Sequence, residues 1–257
     1  MIKATSEHAI RLRGVSKSYK ALRALDSIDL GVLAGEVHAL VGLNGAGKTT
    51  MLRVLLGVIQ PDAGSVWVRG KNVAHLSAAD WSGVGHLIET PFAYPELTVR
   101  ANIEVAALLS GVAKKKAKGA VDSIVDELNL GAWAAQRMRS LSLGNRQRVG
   151  LAAALVGEVQ IAVLDEPANS LDPAGVVLVR DAIRRRAHAG AAILVSSHHL
   201  DEVARVATNI TVINSGRVVG ALEPTGIDLE RQFFALIEAD ARDTTDAGPA
   251  GVVKATA

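Results

Sequence analysis

The period of apolar and polar positions changes several times along the chain, and each change marks an element. The stretch AIRLRGVSKSYKALRALDSIDLGVLAGEVHALVGL alternates apolar and polar residues between Gly and Lys-Ala breaks, which predicts three strands. The last of these, Val37 to Val41, is more continuously apolar, the pattern of a strand covered on both faces, so it is expected near the centre of a sheet. A glycine-rich turn follows, and KTTMLRVLLGV then takes up helical spacing. QPDAGSVWVRG supplies turn signals and a returning strand. VGHLIETPFAYPELT opens like a strand, reaches an acid at Glu89, and continues as an aromatic loop stiffened by Pro91 and Pro95.

From about Pro95 to Gly157 the apolar residues recur at helical spacing, as in VRANIEVAALLSGV and AVDSIVDELNLGAW, which predicts a helical insert. Strand signals return at IAVLDEP, AAILVSSH and ITVINSGRVVGAL, with PAGVVLVRDAIRRRAHAG as a helix between the first two. Strands alternating with helices in this way predict an α/β core with a mainly parallel sheet. The final stretch ADARDTTDAGPAGVVKATA is small and polar, so residues 239–257 are expected to be a disordered tail. No internal repeat is visible.

Composition narrows the chemistry. With 257 residues the chain can bury a full core, and 49% hydrophobic against 21% charged residues is near the globular average. It has no cysteine, so disulfides, thiolate metal sites and a cysteine nucleophile are excluded, in keeping with a reducing compartment. A formal net charge of +2 gives no global electrostatic reason to expect nucleic acid as a partner. The opening MIKATSEHAIRLRG lacks the apolar core of a signal peptide, so the expected location is inside the cell. The most apolar window, VGLAAALVGEVQIAVLDEP, is broken by Glu158 and Gln160 and falls short of the roughly 20 apolar residues that cross a bilayer. Any membrane function therefore requires another chain.

The turn after Val41 reads GLNGAGKTT and matches G-x-x-x-x-G-K-[ST] at Gly42, Gly47, Lys48 and Thr49, in the strand-to-helix context the motif needs. Through Gly42, Asn44, Gly45, Ala46, Gly47 and Thr50 the backbone can curl so that successive N–H groups meet phosphate oxygens. Lys48 neutralises phosphate charge and the Thr49 hydroxyl can ligate Mg²⁺. IAVLDEP ends in Asp165 and Glu166, placed by a buried parallel strand at the edge where α/β sheets bind ligands. Asp165 suits an outer magnesium ligand, and Glu166 suits the orientation or deprotonation of a water. His198 ends a third strand and could reach a phosphate or that water, although a lone histidine is more often structural.

These residues carry a resemblance. Over Ala9 to Ile237 the chain resembles the ATP-binding subunits of ABC transporters, and LSLGNRQRVGLAAAL is similar to the family's signature sequence, keeping Ser142 and Gly144 while departing at Leu143 and Asn145. A serine hydroxyl and free amides at a helix start form an anion site. The resemblance implies a P-loop NTPase fold: an N-terminal antiparallel β part, a mainly parallel α/β core and a helical subdomain at about 90–156, within one unit spanning 1–238. It also implies two ATP molecules, with Mg²⁺, sandwiched between two ATP-binding subunits, each cradle facing the partner's signature helix. The second subunit can be another copy or a related chain.

By the same resemblance, Tyr19 would stack on adenine, although an edge-strand tyrosine is equally plausible, Asp172 in NSLD would help to couple the two sites, and His198 would be the switch histidine. Glu89 falls where most of the family has a glutamine that touches Mg²⁺ and the attacking water. An ionised glutamate only accepts and adds a full negative charge, so metal contact is expected with an altered charge balance. The segment TPFAYPELT resembles the surface that receives a short helix from a separate transmembrane permease, which places the chain at the cytoplasmic face of the membrane. Glu89 with SLGNRQR resembles the bacitracin-resistance and lantibiotic self-protection branch, implying export of an antibiotic or peptide.

Other readings remain. A cytosolic ABC ATPase acting on nucleic acid or ribosomes generally carries two cassettes or a long coiled-coil insertion, and this sequence has neither. A regulatory module that holds ATP and turns it over poorly is allowed by Glu89 and the altered signature, and opposed by Lys48, Asp165, Glu166 and His198. The runs Lys114 to Lys118 and Arg184 to Arg186 are read as a solvated loop and an exposed helix end; without interleaved aromatics they give no nucleic-acid signal.

Overall fold

The computed structural model describes residues 8–89, 91 and 93–246. In chain order the elements are β1 (Ile10–Tyr19), β2 (Leu22–Val32), β3 (Val37–Val41), α1 (Lys48–Leu55), β4 (Ala63–Val68), β5 (Lys71–Asn72), β6 (Val84–Leu87), α2 (Val99–Leu109), α3 (Lys114–Glu127), α4 (Leu143–Leu155), β7 (Ile161–Asp165), α5 (Pro173–His188), β8 (Ala192–Ser197), α6 (Leu200–Ala204), β9 (Asn209–Asn214), β10 (Arg217–Leu222) and α7 (Leu229–Asp246).

Two sheets form. An antiparallel sheet has the order β2-β1-β4-β5, and a six-stranded sheet has the order β10-β9-β3-β8-β7-β6, parallel except at β10. The fold is therefore α/β with the antiparallel N-terminal part, as expected, and β3 lies inside the sheet between β9 and β8. Every residue of β3, β7 and β8 is buried, because alternate side chains enter different apolar clusters. Leu40, Ile161, Val163 and Leu194 pack with α1 and the antiparallel sheet, while Ala39, Val41, Leu164 and Ile193 pack with α4, α5 and the helical insert. The insert thus shares its core with the sheet: Ile103 of α2, Ile124 of α3 and Leu151 of α4 belong to the same cluster as Leu164.

Two local expectations are corrected. Lys114 to Lys118 form the first turns of α3 rather than a loop; its N-cap is Ala113, which makes no side-chain cap, so the usual start signal is missing. α7 runs to Asp246, past residue 239, where a disordered tail was expected to begin. Its apolar stripe anchors it, with Phe233 buried and Leu236 and Ile237 packed on the core, and Asp240 receives Asn214 Nδ2 and Arg217 Nη2 at 2.8 and 2.7 Å. Residues 247–257 lie outside the described residues, as do Thr90 and Phe92 of the aromatic loop.

Parallel pairing sets the strand ends level. Val41 pairs with Ser197, Ser196 with Asp165, and Leu164 with Leu87. The turn after β3, the acids ending β7, the polar end of β8 and the loop after β6 therefore all open on the carboxyl edge of one sheet, where α/β folds bind ligands.

Candidate nucleotide site

The cradle is built by the backbone. Gly47 caps α1 in a left-handed conformation (φ 107°), and a Cβ there would meet the Ala24 carbonyl at 2.6 Å, so only glycine fits. Ala46 is buried and its carbonyl accepts from Gly216 N at 2.9 Å, which ties the loop to the turn between β9 and β10. Asn44 and Gly45 stay exposed at the tip, and Thr50 is half-buried on α1.

Lys48 folds back over this loop. Its Nζ donates to the Gly42 and Leu43 carbonyls at 2.7 and 3.3 Å and stands 3.8 Å from Glu166 Oε1. Burial pushes the ammonium down from its ordinary value, and the charges of Glu166 and Asp165 oppose the shift. A cation held inside a curl of carbonyls is poised to exchange them for phosphate oxygens.

Thr49 Oγ1 donates to Asp165 Oδ2 at 2.8 Å, joining α1 to the end of β7. The other Asp165 oxygen accepts from Ser196 Oγ, and Glu166 N donates to Ser196 Oγ and Ser196 O at 3.1 and 3.2 Å. Ser196 thus fixes both acids. Glu166 itself is left-handed (φ 47°), a turn that breaks the strand alternation, and its Oε1 contacts His198 Nδ1 at 2.9 Å. From α4 the buried Gln147 donates Nε2 to the Glu166 and Pro167 carbonyls at 3.3 and 3.4 Å.

Lys48, Thr49, Asp165, Glu166 and His198 are therefore brought together. Among the described residues no hydrogen bond or ion pair joins Ser142, Gly144 or Asp172 to them. Ser142 is the exposed N-cap of α4, accepting from Asn145 N at 3.3 Å. Gly144 packs so closely on Ser170 that a Cβ would sit 2.5 Å from its carbonyl oxygen. Asp172 caps α5 through Gly175 N at 2.9 Å. Tyr19 ends β1, 42% exposed, with Lys17 over its ring at 5.9 Å.

Glu89 takes another partner. It lies two residues beyond β6 with φ 56°, and its Oε1 pairs with Arg53 Nη2 at 2.6 Å rather than with Thr49 or Asp165. Both residues line a groove of about 720 Å³ with Trp81, Ile88, Tyr94 and Val105. Buried Asn102 holds the loop beside it, accepting from Tyr94 N at 2.7 Å and donating to the Tyr94 and Thr98 carbonyls.

Sequence reasoning missed Ser196, Gln147 and Arg53. Ser196 was the neighbour of the named strand end, Gln147 a polar residue on the apolar face of α4, and Arg53 a cation one helical turn after Thr49; only that last spacing was a usable signal.

Chemically the set suits phosphoryl transfer to water. A hydroxyl and a carboxylate are hard oxygen donors of the kind Mg²⁺ takes. Among the described residues there is no group of three or more His, Cys, Asp or Glu able to cage a metal. The fit is to an ion that keeps waters and substrate oxygens, which is how Mg²⁺ is commonly held.

The ABC transporter family model matches residues 25–169. The chain is similar to the daunorubicin resistance ATP-binding protein DrrA3 of Streptomyces coeruleorubidus, with 35% identity over 214 residues, 83% of this chain and 68% of that protein. It is 32% identical to the bacitracin transport ATP-binding protein BcrA of Bacillus licheniformis, over 82% of this chain and 68% of that one. To the lantibiotic transport ATP-binding protein SrtF of Streptococcus pyogenes it is 30% identical, over 88% and 95%. Among solved structures it resembles the ATP-binding subunit of an ABC transporter at TM-score 0.79 and 26% identity, covering 92% of this chain and 99% of that one. A dimeric ATP-binding cassette in a post-hydrolysis state with ADP and Pi shares the fold at TM-score 0.78 and 22% identity, over 85% and 100%.

Proposed function

The chain belongs to the ABC transporter family as an ATP-binding, ATP-hydrolysing subunit, and on that premise we propose that it powers export of an antibiotic or peptide-like molecule through a separate permease. The observation that carries the site reading is the convergence of Lys48, the Thr49–Asp165 pair, Glu166 and His198 on one sheet edge. Lys48 exchanges its carbonyl partners for the β and γ phosphates. Thr49 and Asp165 would hold Mg²⁺, which would supply charge neutralisation on the phosphoryl oxygens when bound. Glu166 accepts the proton of the attacking water, and His198 orients that carboxylate and reaches toward the phosphate.

Ser142, exposed at the start of α4, and the partly buried Gly144 beside it would meet the nucleotide of a second ATP-binding subunit; the likeness to a cassette solved as a dimer with ADP and Pi supports this arrangement. Asp172 would couple the two sites, and Tyr19 would cover the adenine. The groove beside Glu89 supports docking of a permease helix, which would hold the chain at the cytoplasmic face. No described helix is long and apolar enough to cross a membrane, so the pathway for cargo lies in that partner. The similarity to DrrA3, BcrA and SrtF supports antibiotic or peptide cargo.

The test is a pull-down of the tagged chain from gently solubilised membranes, with ATPase activity measured for wild type and Glu166→Gln. A multi-span membrane protein retained with hydrolysis that the variant abolishes supports the reading. Ribosomal or DNA-bound partners without a membrane protein would overturn the transport assignment.

A further inference from the structure

We propose that Arg53 is a positioning residue for Glu89: it holds this acid at the groove side of α1, away from the Thr49–Asp165 pair, and releases it toward that pair when the ion pair opens. The proposal rests on the reading of Thr49 and Asp165 as the metal-facing pair.

Four observations carry it. Thr49 and Arg53 are four residues apart on α1, hence on one face, one turn from each other. Glu89 Oε1 lies 2.6 Å from Arg53 Nη2, while the Thr49 hydroxyl is bonded to Asp165. Glu89 is left-handed, so its carboxylate direction is set by the loop after β6 and not by strand alternation. Both members of the pair line the groove, so any peptide seated there meets them directly.

Electrostatics points the same way. The Arg53 cation is favoured first by its hydrogen bond with Glu89, against the opposing effect of burial, and further by the charges of Glu89 and Asp165. Arg53 therefore lies in the field of the metal-facing acid while bonded to the groove-facing one. Asp165, Glu166 and bound phosphates already gather negative charge at the strand ends, and a further free carboxylate there would add to it. Pairing with Arg53 neutralises that carboxylate. The pair is also half-exposed, with side-chain exposures of 35% and 54%, and ion pairs of this kind are weak enough for a ligand to open.

The experiment titrates Mg²⁺ against binding of a fluorescent ATP analogue to the full-length chain, with a parallel series in EDTA. The chains are wild type, Arg53→Met, Arg53→Gln, Arg53→Lys, Glu89→Gln, and Arg53→Met with Glu89→Gln. Either neutral variant at Arg53 should free Glu89 and lower the Mg²⁺ midpoint roughly two- to fivefold, the range an exposed ion pair can supply. Arg53→Lys should stay near wild type, the double variant should match Glu89→Gln alone, and binding in EDTA should be unchanged. The same shift at Arg53 with and without Glu89, an unmoved or raised midpoint in both neutral variants, or an equal change in EDTA would overturn the positioning role. If Mg²⁺ fails to promote binding even in the wild type, the Thr49–Asp165 reading falls and takes this proposal with it.

Discussion

Glu166 Oε1 lies 2.9 Å from His198 Nδ1 and 3.8 Å from Lys48 Nζ, so a single carboxylate oxygen faces both the imidazole and the ammonium. The three side chains come from the ends of three different elements: Lys48 opens α1, and Glu166 and His198 directly follow β7 and β8, whose ends are set level by parallel pairing. In Glu166→Gln the side chain keeps its shape and loses its capacity to accept a proton. Turnover should fall by roughly 10²- to 10⁴-fold, the usual contribution of a positioned base, while ATP binding persists. Single-turnover hydrolysis alongside equilibrium binding separates the two effects; loss of binding together with turnover would reassign Glu166 to the cradle.

Ser196 makes a different prediction. Its hydroxyl donates to Asp165 and its two oxygens receive Glu166 N. Ser196→Ala leaves a carboxylate oxygen of the nearly buried Asp165 short of a donor, at a cost of about 1–3 kcal/mol. We expect a lowered melting temperature and a reduced kcat, both partly restored by Ser196→Thr. A variant with unchanged kcat would show that Asp165 and Glu166 hold their positions without it.

Asp172 separates a local role from a distant one. It caps α5, so Asp172→Ala should lower stability by about 1 kcal/mol, and Asp172→Asn or Asp172→Ser should restore it. If the residue also couples two nucleotide sites, the capping variants will recover the unfolding midpoint and fail to recover cooperativity of hydrolysis with ATP concentration. Joint recovery of both would make the cap its whole contribution.

At the opposite end of β3 a buried polar cluster sets an acid limit on stability. Glu36 accepts from Leu33 N at 2.7 Å and from Asn209 Nδ2, and contacts His38 Nδ1 at 2.8 Å; His38 Nε2 reaches Thr211 Oγ1 at 2.8 Å. Burial raises the Glu36 pKa, and the hydrogen bonds from His38, Leu33 and Asn209 outweigh it and hold the carboxyl below its ordinary value. Because the folded value lies below the unfolded one, the contribution is full above the ordinary carboxylate range and is lost as pH falls through the folded value. Urea midpoints measured from neutral pH into acid should therefore decline, and Glu36→Gln should be less stable at neutral pH with a shallower decline. A wild-type acid limb that Glu36→Gln leaves unchanged would assign the loss to other carboxylates.

The cradle, both acids and His198 were legible because each follows a short apolar strand, and a parallel sheet collects such ends on one edge. Val37–Val41 could be placed inside the sheet because no position in it is polar apart from His38. Ser196, Gln147 and Arg53 were not legible in the same way. Their roles arise from contacts with residues far away in sequence, such as Gln147 with Glu166 and Arg53 with Glu89, and no local period encodes those. The start of α3 was hidden because Ala113 does not cap it, and α7 was cut short because residues 239–246 continue it without large apolar side chains, with Asp240 held by Asn214 and Arg217 from distant points of the chain.

In the order β9-β3-β8, the strand that carries the cradle has both of its neighbours made late in synthesis. As the chain leaves the ribosome, β3 has no hydrogen-bonding partner in its own sheet until residues 192 onward emerge, although the antiparallel sheet can already form from residues 10–72. Pairings over such separations close slowly. The residues of the cradle turn are therefore synthesised long before the acids that end β7 and before either strand that flanks β3. The carboxyl edge of the sheet is therefore complete only once β8 and β9 have paired on either side of β3.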